Sequence, residues 1–523
     1  MAAAYSRVSG KLGVACVTAG PGSTNAVPGL SEAYVDSSPV LIISGQVDLK
    51  HTTIKTKSKK IRTFGTAEIN IEPIVKPLTK YAKTIFDPNE IKYHLEKAYH
   101  ECTSGRPGPV WLDIPLDVQR AKINLKKIKG YSVKKEKKHN FVSSIKKIQK
   151  YLSKSKKPII VCGQGVKISK TFKLIYQKFS KKFKIPIFFT RASNDLCSHK
   201  NELILGLAGI KGSKYCKNIM MQSDLVLNFG SRLAPQFVGH SFEAFKKAKV
   251  ISVDIEKDEL LKKGCPIDLK ICADLKFFIP ELIKYFKNEK KLFFSEWSKY
   301  CKNKNLENIN NINKKCNPID LYYFMNKLGQ FSKKNSILVT DAGSNYYIGG
   351  QVWRFEKGQT EITSISNAAM GLSIPLAIGS SIASKNKQIL EIGPGSGNLT
   401  TFILKKKPKK FYAIEKDDEL ALLLKDKFTD EITIINDDIL KISEDEISTE
   451  KLTVFGNLPY NISTEILSKW IVNINKNFWF DSLVLMFQKE VAERIIASSN
   501  TSKYGRLSIL SNWKLNIKKI IDI

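Results

Sequence analysis

Apolar, β-prone runs recur along the chain, each ending in a glycine or polar turn before a helical stretch begins. In GVACVTAGPGSTNAVPGLSEAYVDSSPVLIISGQVD, from Gly13 to Asp48, two such runs flank a Gly-Pro-Gly turn and a helix. KKPIIVCGQGVKIS places an apolar strand, Pro158 to Cys162, before Gly163-Gln164-Gly165, and DLVLNFGSRL and VISVDIEKDEL repeat the strand-then-turn pattern. QILEIGPGSGNLTTFIL, KKFYAIEKDDEL, TIINDDIL and VFGNLPYNIST continue it to the C-terminal region. Near-continuous apolar strands alternating with helices predict parallel sheets covered on both faces. The fold class expected is α/β, with several domains.

Composition refines this picture only in places. At 523 residues the chain is long enough for several domains. No apolar run reaches bilayer length, and MAAAYSRVSG does not read as a signal peptide, so a cytoplasmic protein without a membrane partner is expected. Nine cysteines stand singly, with no C-x-x-C pair, and read as reduced packing residues. The net charge of +36 would suit a nucleic-acid partner, but lysine is spread over the whole chain with much Ile and Asn, and reads as a compositional bias.

VTAGPGSTNAVPGLSEAYVDSSPVLIISGQV and, later, SGRPGPVWLDIPLDVQ resemble the pyrimidine-binding domain of the acetolactate synthase family of thiamine-diphosphate enzymes. Residues 1–125 are assigned to that domain and 126–145, with the run KKEKKH, to a solvated basic linker. Residues 146–290 resemble the family's central Rossmann-like domain, which binds FAD in acetolactate synthases and nothing in several relatives. Arg232 and Asp254 fall where a flavin nucleotide could be contacted. NPIDLYYFMNKLGQ, SILVTDAGSNYYIGGQ and TEITSISNAAMGLSIPLAIGSSIA resemble the opening of the diphosphate-binding domain, assigned to 315–383. The resemblance implies thiamine diphosphate held through Mg²⁺ by a Gly-Asp-Gly motif and a later Asn, and a catalytic Glu upstream of Met1 to Gly10. Neither motif is found, so this segment is expected to be truncated at both ends, to lack carboligase activity and to have no metal ligands. Homo-oligomers are implied by the family, since its cofactor lies between subunits.

A different text starts at residue 384. Gly393, Gly395 and Gly397 alternate after a strand, in the E-x-G-x-G-x-G form found in S-adenosylmethionine (SAM) enzymes, and their missing side chains let a ligand approach the backbone. Glu415 ends the second strand, where a carboxylate can accept both ribose hydroxyl protons. Asp438 follows the third and can accept from the cofactor adenine amine, with Asp437 the adjacent alternative. After the fourth strand comes Asn457-Leu458-Pro459-Tyr460. The Asn457 side-chain oxygen and the Leu458 carbonyl can each accept an N6 proton, aiming the amine lone pair at the methyl group. Pro459 fixes the backbone, and Tyr460 offers a face for an unstacked base. Asn457 is also placed at the cofactor.

FGNLPYNIST, MFQKEVAERI and KYGRLSIL resemble the rRNA adenine N6-dimethyltransferases. The resemblance implies a Rossmann-like SAM methyltransferase fold over 384–523, truncated at both ends, with small-subunit rRNA as partner. The function read from the chain is methyl transfer from SAM to an rRNA adenine amine, fused to an acetolactate synthase-like fragment. The alternatives are carboligation or decarboxylation of 2-oxo acids, and an inactive chimera that retains SAM or RNA binding. KNKQIL could precede either family's next strand, so a short shared sequence is a candidate point of accidental joining.

Overall fold

The computed structural model describes all residues except 57–59, 125–127, 134–139, 210–211, 313–319, 384–387, 393, 405–407, 409, 444–446, 449–450, 459–461, 475–477, 518 and 520–523. The KKEKKH run and the junction Ser384 to Lys387 therefore lie outside the described residues. The chain divides into two compact units, Met1–Ser384 and Lys385–Ile523.

Among the described residues, the first unit holds three sheets, all of whose strand pairs are parallel. In the first, β1 (Gly13–Val17), β2 (Val40–Gln46), β3 (Tyr81–Thr84) and β4 (Val110–Pro115) run in the order β1-β2-β4-β3. Trp111 of β4 is fully buried and donates its indole N–H to Ser44 Oγ at 2.8 Å. Ser44 in turn donates to Asp113 Oδ1 at 2.5 Å, so these three polar side chains are paired.

The second sheet contains β5 (Pro158–Cys162), β6 (Ile187–Phe189), β7 (Ile204–Leu207), β8 (Leu225–Phe229), β9 (Lys249–Asp254) and β10 (Leu269–Cys272), ordered β10-β9-β8-β5-β6-β7. This is the doubly wound order of dinucleotide-binding folds, with its reversal between β5 and β8. Alternation along β5 explains the burial on both faces. Ile160 and Cys162 join one core with the helices Val142–Lys154, 172–183 and Leu275–Tyr285, while Ile159 and Val161 face the helix Lys214–Gln222 and Trp297. The helix Val142–Lys154 begins inside the stretch read as linker, because Phe141, Ile145, Ile148 and Leu152 repeat at helical spacing and are buried. The third sheet pairs β11 (Ile337–Thr340) with β12 (Thr360–Thr363).

The second unit is one parallel sheet of β13 (Gln388–Ile392), β14 (Phe411–Glu415), β15 (Thr433–Asn436), β16 (Leu452–Asn457) and β17 (Phe480–Met486), ordered β15-β14-β13-β16-β17. Its core includes Leu390, Val454, Ile466 and Trp470, with the Trp470 ring edge-on to Trp479 at 5.5 Å. The molecule is thus α/β throughout, with parallel-only sheets. No described helix is long and apolar enough to cross a membrane. The eight described cysteines are free thiols, five of them buried.

Candidate functional site

Because every strand of the second unit runs the same way, the turns after β13, β14, β15 and β16 open on one edge of the sheet. The strand order places the reversal between β13 and β16, where Ile392 lies opposite Gly456. The glycine turn and the Asn457-Leu458 step therefore leave neighbouring strand ends. Gly395 and Gly397 have φ of 55° and 78°, which glycine adopts without strain. A Cβ on Gly397 would meet the Phe428 ring at 2.6 Å, whereas one on Gly395 would meet nothing within 4 Å. Gly397 is thus required for packing, and Gly395 leaves its backbone open to a ligand.

Glu415 is buried at the end of β14 and faces that turn. Its Oε2 accepts the Gly395 N–H at 3.1 Å and its Oε1 accepts the Asp417 N–H at 3.1 Å, so both oxygens are fixed while retaining lone pairs. Asp438 accepts the Leu440 N–H at 3.0 Å and pairs with Lys416 at 2.9 Å. Those two contacts, the backbone N–H first, hold its carboxyl below the ordinary aspartate range. Asp437 accepts the Asp438 N–H at 2.7 Å and is itself exposed. Asn457 closes β16 with its backbone opposite Met486, and Leu458 is buried just beyond it. Gly393, Pro459, Tyr460 and the side chain of Asn457 lie outside the described residues.

Two further groups at this edge escape sequence reading. Asn436 donates its side-chain N–H to the Glu415 carbonyl at 3.1 Å, bracing the end of β14. Thr400 donates to the buried Glu391 at 2.7 Å, and burial raises the Glu391 carboxyl above its usual range. An Asn as the last residue of a strand was the available signal for the first; the second pairing has no signature in spacing alone.

In the first unit a cavity of about 410 Å³ lies at the carboxyl ends of β5, β8 and β9. Gly163, Gly165 and Gly230 let its two turns touch: a Cβ on Gly163 would sit 2.2 Å from the Gly230 carbonyl, and one on Gly230 2.7 Å from Gly165 Cα. Asp254 and Arg232, both singled out from sequence, line the cavity. Asp254 accepts the Glu256 N–H at 3.0 Å, and burial lifts its carboxyl above the ordinary value. Arg232 donates to Ser366 Oγ at 3.2 Å. Arg106, from SGRPGPV, also lines the cavity and pairs with Glu256 at 2.6 Å, a role its motif did not disclose. At the end of β11 the Asp341 carboxylate accepts the N–H groups of Ala342, Gly371 and Ser373.

Residues 1–67 match the family Thiamine pyrophosphate enzyme, N-terminal TPP binding domain; residues 145–282 match its central domain; residues 355–523 match Ribosomal RNA adenine dimethylase. Ribosomal RNA small subunit methyltransferase A of Pelagibacter ubique (strain HTCC1062) is 78% identical over 138 residues, which are 26% of this chain and 53% of that protein. The chain thus spans about half the length of this relative. Acetolactate synthase large subunit of Lactococcus lactis subsp. lactis (strain IL1403) is 31% identical over 402 residues, covering 76% of this chain and 67% of that protein. Acetolactate synthase isozyme 1 large subunit of Escherichia coli (strain K12) is 27% identical over 399 residues, 76% of this chain and 68% of that protein. The chain belongs to the acetolactate synthase-like thiamine pyrophosphate enzymes, whose segment is at residues 1–282, and it carries in succession a segment, residues 355–523, that matches the ribosomal RNA adenine dimethylase family.

Proposed function

We propose that the second unit transfers a methyl group from SAM to the exocyclic amine of an adenine in small-subunit rRNA. The observation that carries this reading is the convergence of the Gly395 turn, Glu415, Asp438 and the Asn457-Leu458 step on one sheet edge. SAM fits the donor set: Glu415 has lone pairs free for ribose hydroxyls, and the space at Gly395 is open. SAM supplies an electrophilic methyl group when bound. The chain's own task is to make the adenine amine nucleophilic. An amine conjugated with its ring is planar and weakly basic. Acceptance of its two protons by the Asn457 side-chain oxygen and the Leu458 carbonyl frees the lone pair toward the methyl carbon. Tyr460 stacks the flipped base, and Pro459 holds the carbonyl in position.

Calorimetric titration of SAM into the full chain is expected to give saturable heat that Glu415→Ala reduces at least about tenfold in affinity, the loss of one or two charge-assisted hydrogen bonds. Equal affinity in the two proteins would remove Glu415 from the site. No heat in either would favour an inactive chimera.

A second reading concerns the first unit, where the cavity favours a nucleotide cofactor. Its place at the reversal of a doubly wound sheet, the bare glycine turns and the carboxylate of Asp254 suit a flavin dinucleotide, with Asp254 toward a ribose and Arg232 toward a phosphate. FAD is expected to quench on titration into the chain, and Asp254→Ala to weaken it about tenfold. Unquenched flavin at saturating protein would sink this assignment. The Mg²⁺ clamp of thiamine diphosphate does not fit the residues present. Asp341 is taken up by three backbone N–H groups, and the strand that follows helix Ser373–Ala383 is β13, which belongs to the other unit's sheet.

A further inference from the structure

The charge of the chain is unevenly divided. The first unit carries 64 Lys and Arg against 30 Asp and Glu, a net +34; the second carries 21 against 19, a net +2. Basic residues are about equally dense in the two, so a chain-wide lysine bias accounts for them. It does not account for the shortage of carboxylates in the first unit, about 8% of residues against 14% in the second.

One layer carries a large share of the excess of lysine over carboxylate. The helices Val142–Lys154, 172–183 and Leu275–Tyr285 pack side by side on one face of the six-stranded sheet, sharing a core through Ile148, Phe179 and Phe278. Together they hold ten lysines and one carboxylate, Glu281. The helices on the opposite face, Lys214–Gln222 and Ser295–Ile312, hold five lysines and two glutamates. Lys146, Lys150, Lys173, Lys178 and Lys284, with Lys287 just beyond, are exposed, and no ion pair or side-chain hydrogen bond engages them among the described residues. Unneutralised like charges on adjoining helices repel one another, an arrangement that a polyanion relieves.

We propose that this helical layer of the first unit binds the phosphate backbone of RNA without reading its sequence. Lysines act as point charges on phosphates, and releasing condensed counterions supplies the affinity. The half-buried rings of Tyr151, Phe172, Phe277 and Tyr285 edge the same layer and offer surfaces to unpaired bases. A lipid surface is disfavoured because the layer's one large exposed apolar side chain, among the described residues, is Val142, too little for insertion. The surface lies in the first unit, and its role stands whether or not the second unit methylates.

The test is fluorescence anisotropy of labelled oligouridine of about 20 nucleotides, long enough to cross several lysines, titrated with the full chain between low and moderate salt. A variant with Lys146, Lys150, Lys173, Lys178, Lys284 and Lys287 all changed to Gln is compared with one carrying Arg at the same positions. The expected result is at least tenfold weaker binding by the Gln variant, full binding by the Arg variant, and a salt slope shallower by about 4 for six lost phosphate contacts. Thermal melting of both variants checks that these exposed changes leave the fold intact. Residual binding by the Gln variant reports the second unit. Equal binding by wild type and Gln variant overturns the proposal, as does absence of wild-type binding at low salt. Phosphatidylserine vesicles run in parallel; capture of vesicles without oligouridine would reassign the layer to a membrane.

Discussion

Arg191→Met is expected to destabilise the first unit by about 3 to 5 kcal/mol, because it strands a buried carboxylate. Arg191, on the turn after β6, pairs with Glu361 of β12, and their side chains are only 8% and 3% exposed. The guanidinium stacks on the Tyr346 ring at 4.4 Å, and its Nη1 occupies the space that a Cβ on Gly350 would take. The Glu361 backbone N–H donates to Asp195, which pairs with Lys167 at 2.6 Å. A chain of charges thus fastens the two-stranded sheet to the six-stranded one. Removing one member leaves the other in a dry site without its ion-pair partner, whereas removing both does not. The double variant Arg191→Met, Glu361→Leu should therefore regain most of the loss. Urea titration with tryptophan fluorescence reads the global effect, and hydrogen exchange in the peptide spanning Thr360–Thr363 localises it. A loss below about 1 kcal/mol in the single variant, the size of a solvated surface pair, would show that water reaches the site.

What could be read from sequence follows the reach of the interactions involved. Gly395, Gly397, Glu415 and Asp438 stand where strand ends meet turns, and a strand end is a local property of the apolar pattern; a parallel sheet then brings every such end to one edge. The order β10-β9-β8-β5-β6-β7 was not legible in that way, since each of its strands is equally apolar and nothing local decides which neighbours it pairs with. The contacts that join sheets were hidden for the same reason. Arg106 sits 150 residues from Glu256 and Arg191 170 from Glu361, and these charged residues look like any surface pair until the fold buries them. Lysine content was visible from the start, but its meaning changed once the fold set three helices with ten lysines and one carboxylate of their own on one layer.

Glu32 is expected to contribute stability to the first unit that fades as pH rises from about 4.5 to 7, the reverse of a paired surface carboxylate and opposed over part of that range by buried His199, which burial holds neutral down to about 3. Glu32, in the helix Pro21–Val35, has its Oε2 on Ser364 Oγ at 2.8 Å and its Oε1 buried without a partner, beside Asp36. Asp36 accepts the N–H groups of Ile365 and Ser366 at 2.9 and 3.1 Å and lies 3.7 Å from Arg7. Burial first, and the neighbouring Asp36 charge second, push the Glu32 carboxyl up to about 7, while Ser364 and Arg7 pull weakly the other way. Burial likewise lifts Asp113 to about 6. In each case the folded state keeps its proton after the unfolded chain has lost it, so the stabilisation is complete at low pH and fades as pH climbs through the folded value. The lowered carboxyls of Glu202, Glu289 and Glu356 sit in solvent beside lysines or backbone N–H groups and titrate below this window. Glu32→Gln supplies a permanent N–H toward Asp36 without a titrating proton. Urea midpoints at pH 5 and pH 8 should therefore differ less in the variant than in the wild type, by an amount equivalent to about 2 to 3 kcal/mol. An unchanged difference would mean that Glu32 is ionised in the folded unit, and that the loop from Ser364 to Ser366 is held by Asp36 alone.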